Sequence, residues 1–252
     1  MSERSTPPFR AEHTGSLLRP PEVKKARADL QAGRITAAQL RSVEDEAIRQ
    51  AVKMQENLGL HLATDGEIRR NHWHSDFIYQ IGGIRKRQDR REVAFHTGTG
   101  DVVFSQEEID VAGKIGLEKT IFGEDFRFLK SAVKTALPKI TIPSINMAMM
   151  AVNRSDFSRV YTRREDVVAD LARAYADEIS GLGALGCTYL QVDDVLFSLL
   201  CNERMRKAFA PAGTDPSRTH IDNIKLFNES VRKRPPGMTI CTHTCRGNFR
   251  SG

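Results

Sequence analysis

The chain has 252 residues, 40% of them hydrophobic and 28% charged, with a formal net charge of +6. These are the proportions of a soluble globular protein with a sizeable core. No apolar run reaches the roughly 18 residues a membrane span needs, and no basic cluster alternates with aromatics as a nucleic-acid surface would. The positive charge favours an anionic substrate. The start, "MSERSTPPFR", lacks the apolar core of a signal peptide. Cys187, Cys201, Cys241 and Cys245 follow no disulfide pattern, which points to a cytoplasmic location.

Taken in order, "FRAEHTGSLL" (9–18) reads as a first strand, ending near His13 and Ser16. Its Gly15–Ser16 turn either exposes N–H groups for a carboxylate or is a plain turn. Residues 35–59 read as a helix. Thr36 and Gln39 form a capping box, Leu40, Val43, Ala47, Ile48, Ala51 and Val52 an apolar face, and Gly59 the stop. "LHLATDGE" then runs as a strand into Asp65 and Glu67, which are either a working carboxylate pair or a helix N-cap with a first-turn acid. His72 and His74 lie two apart on an expected helix, so they would not share a metal. Trp73 is read as packing.

The basic run "RKRQDRRE" (85–92) is expected to be a solvated loop or hairpin, and 92–122 an inserted antiparallel hairpin. "PKITIPSIN" (138–146) is a further strand. A helix over 162–186 is expected to open on a Thr162–Glu165 capping box. Its stripe is Val168, Leu171, Tyr175, Ile179 and Leu182. "CTYLQVDD" follows as a strand ending in Asp193 and Asp194, one of which can cap the next helix while the other stays free. Residues 215–235 read as a helix stopped by Pro235 and Pro236, and "GMTICTHTC" (237–245) as the last strand. His243 and Cys245 share one face of it and could bite a zinc ion, or could be core residues. Cys241, one pleat deeper, is read as packing.

Strands separated by helices imply a parallel sheet. Each apolar run ends in reactive residues at its carboxyl end, as in a (β/α)8 TIM-type barrel. About five strands are legible, fewer than a closed barrel has, so the chain is either an incomplete barrel or an open doubly wound sheet.

The segments "FRAEHTGSLLRP", "TDGEIRRNHWHSDF", "TIPSINM", "YLQVDDVLFSLLC" and "THTCRGNFRS" together resemble the cobalamin-independent methionine synthase family, in its short single-barrel bacterial form, from about residue 9 to the last. That resemblance implies an α/β fold of (β/α)8 type and zinc-dependent transfer of a methyl group from a 5-methyltetrahydrofolate, often polyglutamylated, to homocysteine, giving methionine. It implies that His243 and Cys245 are zinc ligands, that Gly15 and Ser16 hold the amino-acid carboxylate, and that Glu67 and Asp193 hold its ammonium. Asn146 and Met147 would lie on the pterin-facing loop. The family's further ligands, a Glu and a Cys, and its His proton donor have no counterpart before Gly252. The resemblance thus implies one catalytic barrel domain over 1–252 without its C-terminal third. Three readings stay open: an inactive piece of such a methyltransferase, a related zinc-thiolate alkyltransferase of the epoxyalkane–coenzyme M type, and a non-enzymatic remnant that binds a partner through strand edges.

Overall fold

Local signals start the first two helices. The structure, a computed structural model, describes residues 6–9, 12–97, 100–210 and 215–245. Helix α1 (Pro21–Gln31) begins on a proline, whose missing N–H costs nothing at that position. Helix α2 (Ala37–Asn57) carries the expected capping box: Gln39 N–H donates to Thr36 Oγ1 at 3.2 Å and Thr36 N–H to Gln39 Oε1 at 2.8 Å. Ala47, Ile48 and Val52 pack with Val23 of α1 and with Ala63 and Leu129 into one apolar cluster.

Strand β1 (Leu62–Ala63) follows, then the short helix α3 (Ser75–Ile78). The hairpin comes next, as β2 (Gly82–Thr97) and β3 (Gly100–Gly116). It is antiparallel, as expected, but starts ten residues earlier than 92, so the basic run lies in β2. Arg85 stands opposite Asp110, and a register shift falls between Lys86 and Arg90. The buried Ile84, Ile109, Val111 and Ile115 root the hairpin in the core, which is why the pairing extends back to its base.

Helix α4 (Gly123–Ala132) leads into β4 (Leu137–Pro138) and β5 (Ile140–Pro143), which Lys139 joins. Helices α5 (Ile145–Val152) and α6 (Arg164–Ala184), strand β6 (Tyr189–Asp194), helices α7 (Leu196–Leu199), α8 (Glu203–Phe209) and α9 (Thr219–Ser230), and strand β7 (Thr239–Thr244) complete the described chain. All strand pairs outside the hairpin are parallel: β1 with β4, β5 with β6, and β6 with β7. Because the Lys139 N–H also donates to Ala63 O at 2.9 Å, residues 137–143 tie β1 to the other strands. The wall runs β1, β4–β5, β6, β7, an open part of a barrel of TIM type. The second apolar cluster lies between β5, β6, α5, α6 and the hairpin base, where the Phe77 ring packs at a tilt against both Phe122 and Tyr175.

Three expectations are corrected. Among the described residues of 9–18 there is no strand; the segment is held by side chains instead of a ladder. Helix α6 starts on Arg163 as N-cap with no side-chain cap bond, so Thr162 sits one residue too early to serve, and Val167 rather than Val168 is fully buried. The 215–235 helix splits into a 3-10 turn at Pro216–Arg218 and α9. The motif residues 246–252 lie outside the described residues.

Candidate active site

The carboxyl ends of β5, β6 and β7 are level. Pro143 pairs with Asp193, and Asp193 with His243; Ser144 N–H donates to Asp193 O at 2.8 Å and Cys245 N–H to Asp194 O at 3.2 Å. Beside them the turn after β1 puts Gly66 and Glu67 at positive φ (65° and 54°). For a glutamate that conformation costs on the order of 1 kcal/mol, and it is sustained only by surrounding contacts. Those contacts are present. Asp65 Oδ1 accepts the Glu67 N–H at 2.9 Å, Arg19 donates to Glu67 O at 3.1 Å and to Arg70 O at 2.5 Å, and Leu17 N–H donates to Gly66 O at 3.0 Å.

The two acidic pairs resolve in the same way. Asp65 serves the backbone of its own turn, and burial pushes its pKa up. Glu67 is left to face Thr141, whose hydroxyl donates to Glu67 Oε1 at 2.8 Å and accepts from Arg70 at 2.9 Å. The Arg70 guanidinium lies 3.7 Å from Glu67 Oε1 and stacks on Phe122 at 4.1 Å. On β6, Asp194 accepts the Leu196 N–H at 2.7 Å and the Asn146 amide at 2.9 Å, so it is the cap. Asp193 is the acid left over, held by Gln191 at 2.6 Å. Its pKa is pushed up to about 7 by burial; the Gln191 bond, Arg70 and Lys139 oppose the rise and the charge of Glu67 adds to it.

Gly15 closes the group. Its φ is +116°, and a Cβ there would stand 2.7 Å from Thr141 Cγ2 and 3.9 Å from Glu67 Oε1, so only glycine fits. Ser16 next to it is exposed, and no described group accepts its N–H. Gly15, Glu67, Asp193 and His243 are thus brought together. Asn146 lies buried beneath, on Asp194, and Met147 is buried beside it.

Along β7 and the residue that follows it, Cys241, His243 and Cys245 alternate with the exposed Thr242 and Thr244, so the three share the half-buried face. Burial and the charge of Lys139 lower the His243 pKa, favouring the neutral imidazole that ligates metals. Cys241 is less suited: its thiol donates to Leu190 O at 3.7 Å and burial pushes its pKa to about 11. Among the described residues no group of three or more His, Cys, Asp or Glu is placed to hold a metal, His72 and His74 included. Residues 246–252 contain none of these types. His243 and Cys245 are two donors where a catalytic zinc takes three protein ligands, so this chain's donor set falls short of a zinc centre.

A layer of residues below the site was not singled out from the sequence: Thr64, Lys139, Thr141 and Gln191. Their signal was available, because Lys139 and Thr141 alternate with apolar residues in "PKITIP", as Gln191 and Asp193 do in "YLQVDD". A polar stripe on an otherwise apolar strand marks a face turned to polar partners.

Parallel strands with their reactive side chains gathered at the carboxyl ends define an α/β barrel-type domain. The family model for the cobalamin-independent synthase catalytic domain matches residues 11–251, and the chain belongs to that family. The uncharacterized protein YxjH of Bacillus subtilis (strain 168) is 38% identical over 244 residues, covering 97% of this chain and 63% of that protein. A methionine synthase of Sulfurisphaera tokodaii is 26% identical over 237 residues, covering 93% of this chain and 61% of the relative. The crystal structure of a putative vitamin-B12 independent methionine synthase from Listeria monocytogenes superposes with a TM-score of 0.74 at 34% identity, covering 96% of this chain and 67% of that one. The chain thus spans less than two thirds of the length of these two curated relatives.

Proposed function

We propose that residues 1–252 belong to a single catalytic barrel domain that moves a methyl group from a 5-methyltetrahydrofolate, polyglutamylated or not, to the thiol of homocysteine in the cytoplasm. The Gly15–Ser16 turn takes the amino-acid carboxylate, with the Ser16 backbone N–H as its principal donor, and Glu67 and Asp193 take the ammonium. The observation that supports this reading is the glycine turn set against the buried Glu67, with the buried Asp193 joined to the same turn through Gln191. A zwitterion needs both halves, an anion cradle and a carboxylate pair. An arriving ammonium lets Asp193 release its proton to solvent and offsets the repulsion with Glu67 that this ionisation creates.

The same pair of acids favours an amino-acid thiol over the sulfonate thiol of a coenzyme M-type reaction, which has no cation to offer them. In the family reaction zinc would hold the acceptor as thiolate. His243 and Cys245 are assigned as two of its ligands, and the chain's own residues are credited here with binding and orienting the amino acid. No helix among the described residues is long and apolar enough to cross a membrane.

The test is calorimetric titration of the purified chain with L-homocysteine and with 2-mercaptoethanesulfonate. Homocysteine should bind, and Glu67→Gln and Asp193→Asn should each weaken it about tenfold or more, as loss of a charged hydrogen-bond partner costs roughly 1.5–3 kcal/mol. Preferential binding of the sulfonate would overturn the proposal.

A further inference from the structure

Three consecutive backbone carbonyls, those of His13, Thr14 and Gly15, each accept from a side chain of a different barrel strand or strand end. Lys139 Nζ reaches His13 O at 2.5 Å, Gln191 Nε2 reaches Thr14 O at 2.5 Å, and Thr64 Oγ1 reaches Gly15 O at 2.6 Å. All three donors are buried, and Lys139 has no exposed surface at all. Burying an ammonium is costly unless it is fully paired. Here it also meets Gln191 Oε1 at 2.9 Å and Glu12 Oε2 at 3.6 Å.

We propose that Thr64, Lys139 and Gln191 are positioning residues that clamp the 13–15 carbonyls and thereby aim the turn's N–H groups at the substrate carboxylate. In a trans peptide the N–H points opposite to the C=O. With three carbonyls drawn onto buried donors, the N–H groups of Thr14 and Ser16 turn away from those donors. The Gly15 N–H is occupied by His13 Nδ1 at 3.1 Å, which leaves Ser16 as the principal donor. Lys139 adds a fixed positive charge below an anion cradle.

Gln191 gives the clamp a second output. Its oxygen faces Lys139, so the amide orientation is determined. Its two N–H bonds go to Thr14 O and to Asp193 Oδ1. One side chain therefore sets both the carboxylate turn and an ammonium-binding acid, and with them the distance between the two halves of the ligand.

The clamp rests on the amino-acid reading above, and its test separates the two. Thr64→Val removes one donor at constant shape, and Thr64→Ser keeps the hydroxyl. Lys139→Gln is a second, independent perturbation. Amide exchange of Gly15 and Leu17, both hydrogen-bonded in the resting turn, is followed by mass spectrometry or NMR. Binding of L-homocysteine is compared with that of 3-aminopropane-1-thiol, which lacks only the carboxylate.

The clamp predicts at least tenfold faster exchange in Thr64→Val and in Lys139→Gln. It predicts about tenfold weaker homocysteine binding with the aminothiol unaffected, a difference of about 1.4 kcal/mol. Both properties should return in Thr64→Ser. Unchanged exchange, or equal weakening of both thiols, overturns the clamp and leaves the amino-acid reading standing. Wild-type chain that binds neither thiol overturns that reading and the clamp's assigned purpose with it.

Discussion

Glu178 on α6 should make this protein less stable as pH rises from acid to neutrality. The carboxylate has no exposed surface and accepts the N–H groups of Ile121 and Phe122 at 2.6 and 3.1 Å, where α4 begins. Burial raises its pKa to about 7, and the two N–H bonds only partly offset that. Its reference value is 4.5, and a folded carboxylate with a raised pKa holds its proton longer than the unfolded one. Stability from this group is therefore full below pH 4.5, falls between 4.5 and 7, and is lowest above 7. Each pH unit separating the folded from the unfolded value is worth about 1.4 kcal/mol, so the loss is on the order of 3 kcal/mol. The assay is urea unfolding at pH 5 and pH 8. Glu178→Gln should remove about 3 kcal/mol of the difference between the two pH values, whatever it costs at both by facing one of the two N–H groups with its own NH2. A variant with the wild-type pH dependence would refute the assignment. The consequence reaches the site, because the Phe122 ring placed by Glu178 supports the Arg70 guanidinium, and Arg70 supports Thr141 and Glu67.

Gly15→Ala should cost roughly 1–2 kcal/mol from the left-handed backbone alone. The new Cβ would also push Thr141 away from Glu67, so homocysteine binding should fall more than the melting temperature does; intact binding would refute the close approach. Glu56 accepts three N–H groups, from Lys134, Thr135 and Ala136, at 2.7, 2.7 and 3.0 Å, and its pKa is lowered to about 2. Its stabilisation is present above pH 4.5 and lost as pH falls towards 2. Glu56→Gln should lose about 1–2 kcal/mol at pH 7 and flatten the acid-unfolding curve, and an unchanged acid midpoint would contradict this. With two soft donors on one strand face, zinc should leave the chain on brief dialysis against a mild chelator. One tightly held zinc per chain by elemental analysis would show that further donors are recruited.

Features governed by near neighbours were legible in the sequence. The Thr36–Gln39 box requires two residues three apart, and it forms as written. The apolar β6 and the acids after it also fall where the pattern puts them. The alternation on β7, which places Cys241, His243 and Cys245 on one face, follows from strand geometry alone. The same kind of reading failed at Thr162, where the helix began one residue later than its cap signal. It failed also among the described residues of 9–18, where hydrophobicity resembled a strand.

Only tertiary structure could decide that second case. The donors that hold the 13–15 carbonyls come from 49, 126 and 177 residues away, so nothing local records that the ladder is replaced by side chains. Tertiary structure also chose between neighbouring acids. Asp65 and Asp194 went to backbone N–H groups, while Glu67 was left facing the glycine turn and Asp193 was left to the Gln191 amide. An acid's chemistry depends on its hydrogen-bond partners and its contact with water. The sequence by itself determined which acids were present and at which strand ends; the packing of the parallel strands, with Lys139 buried between β4 and β5, determined which of them could meet a ligand.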